Sequence, residues 1–192
     1  MIVSMSEDER IEAILLAAYE CFRVHGIRRT TMDDIARRAG MSRPAVYQYV
    51  RNKEDAFHRL ADRLLSAALA DVRVALAAEG PLAERLITAL GAKLAMILLI
   101  YRESPHAEEL IGESAQLTAD LLADFLAELR AELTAAVQAV LPEDEAAEFA
   151  ELLLALTRGL EIHSADPEVP MRRLRLGVSL LVRGLPQRDD HH

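Results

Sequence analysis

Apolar residues in this chain recur three and four positions apart, segment after segment, and glycine, proline or a capping hydroxyl ends each run. That spacing lines one face of an α-helix, whose repeat is about 3.6 residues. Ile11, Ile14, Leu15, Ala18 and Phe22 form the first such face, and His25-Gly26 closes it, since glycine readily takes the left-handed conformation at a helix end. Hydrophobic residues make up 52% of the 192 but aromatic ones only 4%, so the apolar content is mostly Ala, Leu, Ile and Val, which favours helices packed on helices. An all-α fold with no sheet is expected, with room for one small head and one body.

A second start follows at Thr31, where Thr-Met-Asp-Asp sets an acid three residues after a hydroxyl that can accept a backbone N–H bond. This helix is expected to run to about Ala39, with Met32, Ile35, Ala36 and Ala39 on one side and Asp33, Asp34, Arg37 and Arg38 on the other. Gly40-Met41 breaks it. Ser42 caps a third helix over roughly Arg43 to Val50, with Pro44 in its first turn, where a missing N–H costs nothing. Two short helices across a glycine turn predict a helix-turn-helix. A longer helix begins near Lys53, carries Phe57, Leu60, Leu64, Ala68, Val72 and Ala75 on one stripe, and ends at Gly80-Pro81. Further amphipathic helices are expected near 82–102, 107–114, 117–140, 144–164 and 168–184, separated by Pro105, Gly112, Leu141-Pro142 and the Ala165-Asp166-Pro167 turn.

Several function classes are disfavoured. The single cysteine, Cys21, rules out an internal disulfide or a cysteine-rich zinc site, and its place on an amphipathic segment suits packing. The longest unbroken apolar run, Leu94 to Tyr101, is far short of the roughly 18 residues that suggest a membrane span. Glu7, Asp8 and Glu9 do not make the basic region of a signal peptide, so a cytoplasmic location without a membrane partner is expected. His58 and Asp62 stand one turn apart, as do Glu109 and Glu113, but neither pair supplies a three-ligand metal set, and there is no glycine-rich phosphate loop or nucleophile elbow. No catalysis, metal or cofactor is expected.

Charge is unevenly placed. The net charge is −9, yet between residues 23 and 53 eight cations (Arg23, Arg28, Arg29, Arg37, Arg38, Arg43, Arg51, Lys53) face only Asp33 and Asp34, a local +6 that leaves −15 for the rest. A purely structural helical adaptor has no use for such a cluster. A protein that binds DNA without regard to sequence would use it, but would be expected to be basic throughout.

The segment Thr30 to Phe57, TTMDDIARRAGMSRPAVYQYVRNKEDAF, resembles the DNA-binding head of the TetR (tetracycline-repressor) family. The matching features are the helix-one ending FRVHG, the TTMDDIA start, the AGMS turn, a recognition helix ending VYQYV, and the N-K-E-D that opens the fourth helix. The likeness covers about residues 10 to 60. It implies a helix-turn-helix DNA-binding domain over 1–52 and an effector-binding and dimerisation body over 53–185, while the polar composition of 186–192 leads to the expectation of a disordered tail. It further implies a homodimeric transcriptional repressor that binds a palindromic double-stranded operator and is released by a small-molecule effector, the signal passing through the long fourth helix.

Recognition needs a helix whose first turn reaches base edges, with neighbours that fix it to the backbone. Arg43 lies at the tip of the third helix, where its guanidinium can bond guanine O6 and N7 or, equally, a phosphate. Ser42 can cap its helix and touch phosphate, Pro44 and Ala45 are small enough for close approach and thymine-methyl contact, and Gln48 can read adenine. By resemblance, Thr31, Tyr47 and Lys53 match positions that hold the DNA backbone. Tyr49 suits DNA contact and packing beneath the helix equally.

In the body, Phe149, Leu152, Leu153, Leu156 and Leu160 form one stripe and Met171, Leu174, Val178, Leu181 and Leu185 another, with Gly159 and Gly177 permitting close helix approach. By resemblance these two helices pair with their copies in a four-helix interface; the alternative is that they close the body's own core. The sensor is expected among the apolar residues Leu94–Tyr101, including the adaptable Met96, with Leu110, Leu121 and Phe125 opposite and Tyr101, His106, Gln116 and His163 as polar handles. A flexible, hydrophobic, lipid-like or drug-like effector fits this lining.

Overall fold

A computed structural model describes residues 6–161, 166 and 168–186, the side chains of 109 and 113–115 apart. Its order is α1 (Glu7–Arg29), α2 (Met32–Arg38), α3 (Arg43–Val46), α4 (Lys53–Ala77), α5 (Leu82–Glu103), α6 (Ala107–Leu117), α7 (Ala119–Val137), α8 (Glu143–Leu160) and α9 (Glu168–Arg183). The fold is all-α, with no strand among the described residues. None of the described helices is long and apolar enough to cross a membrane.

Local sequence chemistry sets the first helices. Ser6 caps α1 in a reciprocal box with Glu9. Gly26, at φ 73° and ψ 168°, breaks the helix where His25-Gly26 predicted, so Ile27–Arg29 is a separate turn. Thr31 accepts from the Asp34 backbone N–H at 3.2 Å while Asp34 Oδ2 accepts from the Thr31 N–H at 3.0 Å, completing the box that opens α2. Gly40, at φ 65°, makes the turn to Ser42, which caps α3. The third helix is shorter than its spacing predicts. After Val46 the bonds shift to Gln48 N–H→Ala45 O and Tyr49 N–H→Val46 O, three residues back, tightening the last turn so that Val50 is tucked under the core.

Thr31 also holds the Asp34 carboxyl below the usual carboxylate range, through its hydroxyl and then its backbone N–H. A depressed carboxyl stabilises the fold fully above its unfolded pKa and loses that contribution as pH falls through its folded value. Thr31→Ala is therefore expected to cost about 1 kcal/mol at neutral pH, and its gap from the parent in urea melts to narrow as pH drops below about 4. Equal stability at pH 7, or a gap that widens in acid, would contradict this account of the cap.

The chain forms two compact units. The first comprises the chain up to Leu65 together with Ile100–Leu122. Its core joins Ile14, Leu15, Ala18 and Phe22 of α1 to Ile35 of α2, Val46, Val50 and Phe57, with Phe22 and Phe57 edge-to-face at 5.7 Å. Leu110 and Leu117 of α6 also pack on this core. Tyr19 donates to Glu103 at 2.8 Å, and Ser104 donates to the Arg23 carbonyl at 2.9 Å, so polar bonds tie α1 to the α5–α6 corner. Cys21 is buried, and burial pushes its thiol up, away from the reactive thiolate.

The second unit comprises Ser66–Leu99 and the chain from Ala123. Leu86, Leu90 and Leu94 of α5, Leu129 and Leu133 of α7, Leu153 of α8 and Leu174 of α9 are all fully buried in it. Lys93 is buried among them and paired with Glu161, since a lone ammonium there would carry a large desolvation cost. Arg73 bridges Glu128 and Glu132 at the surface.

Candidate nucleic-acid interface

The helix-turn-helix presents its predicted residues unevenly. Thr31, Ser42, Arg43, Pro44, Tyr47 and Gln48 are exposed, Ala45 is half-buried, and Val46 beneath them is fully buried and anchors α3 to the core. The Ser42 hydroxyl accepts from the Ala45 N–H at 3.4 Å, so its role as a cap is visible. Arg43 is held by its neighbours: one guanidinium nitrogen donates to Asp33 at 3.2 Å, another donates to the Tyr47 hydroxyl at 3.2 Å, and the group sits 5.5 Å from the Tyr47 ring centre. The Tyr47 hydroxyl first, then the Asp33 charge, favour its protonated form further.

Lys53 is half-buried and faces inward as well as outward. Its Nζ donates to the Ile27 carbonyl at 2.8 Å and the Arg28 carbonyl at 3.0 Å, holding the turn that follows Gly26. An ammonium has three donors, so one N–H is left for a phosphate. The rest of N-K-E-D has a local reason: Asn52 accepts from the Asp55 N–H at 2.7 Å and caps α4, while Asp55 accepts from the Arg51 N–H at 2.9 Å. Partial burial pushes the Asp55 carboxyl up, but the Arg51 N–H and Arg59 outweigh it and leave it below the usual range. Tyr49 is half-buried against the head core, and its hydroxyl accepts from Arg10 at 3.1 Å. Packing is thus the role its geometry displays. Of the other cations, Arg37 pairs with Asp34 at 3.0 Å and Arg38 with Glu20, while Arg29 and Arg51 are exposed. Arg10 and Asp33 are the participants the sequence did not single out. Their partners lie 39 and 10 positions away, and no local spacing announces either contact.

Residues 14–60, which span this geometry, match the family described as bacterial regulatory proteins, tetR family. Those residues resemble the DNA-binding region of that family. The HTH-type transcriptional activator FasR of Mycolicibacterium smegmatis is 36% identical over 72 residues, which cover 38% of this chain and 33% of FasR. The chain thus spans about a third of the length of that relative. A transcriptional regulator from Rhodococcus sp. Rha1 has a TM-score of 0.73 at 22% identity, covering 91% of this chain and 97% of that one. A TetR transcription regulator from Haloarcula marismortui gives 0.72 at 22% identity, covering 94% and 100%. At such identities the two structures show that the all-α fold is shared, and the fold alone.

The expected sensor residues are divided between the two units. Met96, half-buried, and Phe125, buried, belong to the second; Tyr101, His106, Leu110, Gln116 and Leu121 belong to the first. Leu110 is committed to the head core, Gln116 is exposed, and the His106 backbone N–H donates to Ser104. His163 lies outside the described residues, as does the tail beyond Pro186.

The two C-terminal stripes divide as well. Phe149, Leu174 and Val178 are buried in the second unit's own core, which leaves their side chains no surface for a partner. Leu156, Leu160 and Leu181 are half-buried. A Cβ at Gly177 would lie 2.8 Å from Leu156 Cδ2, so this glycine serves the approach of α9 to α8 within one chain, whereas Gly159 faces open space. The outward apolar residues are Leu152 at 55% exposure and, on α9, Leu176 at 59% and Leu180 at 55%.

Proposed function

We propose that this protein is a tetR-family DNA-binding transcriptional regulator that reads one operator half-site with each copy of its head. The observation that carries this is the capped helix-turn-helix from which Arg43, Pro44, Tyr47 and Gln48 stand exposed, amid a cationic stretch of the chain. The division of labour we assign is DNA binding by 1–52 and effector binding and dimerisation by 53–185. Two heads must stand about 34–36 Å apart to meet successive major grooves, which calls for a dimer and an inverted-repeat operator.

Repression, with release by a small hydrophobic ligand of the body, is the reading we adopt for regulation. The ligand must prefer a body geometry in which the two heads no longer match groove spacing, and so weaken operator affinity without splitting the dimer. The first unit offers a route: α6 packs on the head core and the α5–α6 corner is bonded to α1, so a ligand that displaces α6 acts on the head directly as well as through α4. Activation is the second reading, favoured by the name of the M. smegmatis relative. A reporter placed behind the recovered operator separates the two by the sign of its response.

The test is retention of genomic DNA fragments by the purified protein, sequenced at two salt concentrations. A shared inverted repeat should be enriched, with affinity falling by about a thousandfold or more between 50 and 200 mM salt if six or more phosphates are engaged. Arg43→Ala should weaken binding to that repeat by roughly 5- to 150-fold with an unchanged melting curve. Retention without any shared sequence would replace the regulator by a non-specific DNA binder. Lys53→Ala should also lose binding, but with a lowered melting temperature, since it releases the Ile27 and Arg28 carbonyls.

A further inference from the structure

Asp33 is a carboxylate on a surface otherwise laid out for an anion. It is not the acid that closes the α2 cap, which is Asp34, and Arg43 is not the group that caps α3, which is Ser42. Yet the two meet at 3.2 Å, one from the first turn of α2 and one from the tip of α3, with the Tyr47 hydroxyl accepting from the other side of the guanidinium at 3.2 Å. An arginine placed only to neutralise phosphate gains nothing from this arrangement, because the carboxylate beside it repels the same phosphate. An arginine placed to read a base edge does gain. Its long side chain is oriented before contact, so less rotamer freedom is lost on binding, and three of its five N–H donors remain for acceptors on the base. Tyr47, accepting from Arg43, keeps its own hydroxyl proton to donate to the backbone, so one ring registers the reader against the duplex.

We propose that Asp33 is a specificity-determining residue which, with Tyr47, aims Arg43 at a guanine edge of each half-site and turns it away from phosphate. This rests on the reading of the chain as an operator-binding regulator. Asp33 acts through Arg43 and is a positioning residue. It follows that the protein gives up some non-specific affinity to the acid and gains discrimination at one base pair per half-site.

The experiment uses duplexes that the parent protein selects from a random library. Each half-site position is changed in turn and affinities are measured for the parent, Asp33→Ala, Asp33→Asn, Arg43→Ala and the Asp33→Ala/Arg43→Ala double variant. The parent should prefer G·C at one position per half-site by roughly 5- to 150-fold, and Arg43→Ala should erase that preference. Asp33→Ala should lose most of it at the same position while binding unmatched duplex as tightly as the parent or more tightly, having one negative charge fewer. Asp33→Asn keeps a neutral, weaker acceptor and should fall between. In the double variant the Asp33 change should add nothing further at that position, the sign that the two residues act as one. Because both side chains are exposed, melting curves should match the parent's. Undiminished preference in both Asp33 variants, or a preference altered at a different base pair, would overturn the proposal. A parent protein that selects no shared sequence would instead overturn the regulator reading beneath it.

Discussion

Phe22→Ala is expected to lower the stability of the head-bearing unit by about 3–5 kcal/mol and, with it, to abolish retention of DNA at 37 °C. Phe22 is 1% exposed and stands at the centre of the first core, edge-to-face with Phe57 across α1 and α4. Removing the ring forfeits its transfer from water and leaves a cavity whose walls come from α1, α2 and α4, three helices tied by separate caps and unable to close freely. Loss of the ring pair adds about 0.5–1.5 kcal/mol. Since small domains hold only about 5–15 kcal/mol in total, the loss is a large fraction of the head's reserve. Denaturant unfolding followed by far-UV circular dichroism measures it, with Phe22→Leu as the comparison that keeps most of the volume. An Ala variant within about 1 kcal/mol of the parent would show that the core around Phe22 is looser than its burial indicates.

Much of the head is legible in the sequence because its chemistry is local. Thr31 and Asp34 stand three apart, Gly26 and Gly40 take the positive φ that their positions require, and Ser42 precedes a proline; each signal is complete within four residues. The body yields its helices by the same logic but not their partners. Periodicity identifies an apolar stripe without saying what covers it, and α8 and α9 each carry apolar residues on more than one side. Leu152 and Leu153 are neighbours in one run, yet Leu153 is fully buried and Leu152 more than half exposed. Leu110 shows the other limit. It reads as sensor lining because its apolar side chain can stand opposite the Leu94–Tyr101 run, but α6 packs on α1, an association between distant stretches of sequence that no local pattern announces. The Lys93–Glu161 pair likewise joins positions that no spacing rule connects.

The division of the C-terminal stripes gives the second large prediction. Leu176 and Leu180 lie one turn apart on α9 and, like Leu152 of α8, are more than half exposed. Isolated exposed leucines need no explanation, but three on two helices already packed together form a surface that a second copy can cover. If they do meet their counterparts across a two-fold axis, Leu180→Glu places two like charges against apolar surface and against each other. Weakening of self-association by roughly 30-fold or more is expected, the scale of an interface hot spot. Sedimentation should then show the double Leu176→Glu/Leu180→Glu variant as a monomer at concentrations where the parent is a dimer. Its helical signal and melting curve should survive, because both side chains are solvent-exposed in the single chain. Leu174→Glu should behave oppositely and unfold the second unit, for that side chain is fully buried within it. The monomer that results is also a test of the operator reading, since one head engages one half-site: it should hold DNA far more weakly than the parent while keeping the same preferred bases. A double variant that remains dimeric would move the interface away from this face, and one that is monomeric yet binds the full operator unchanged would remove the need for paired heads.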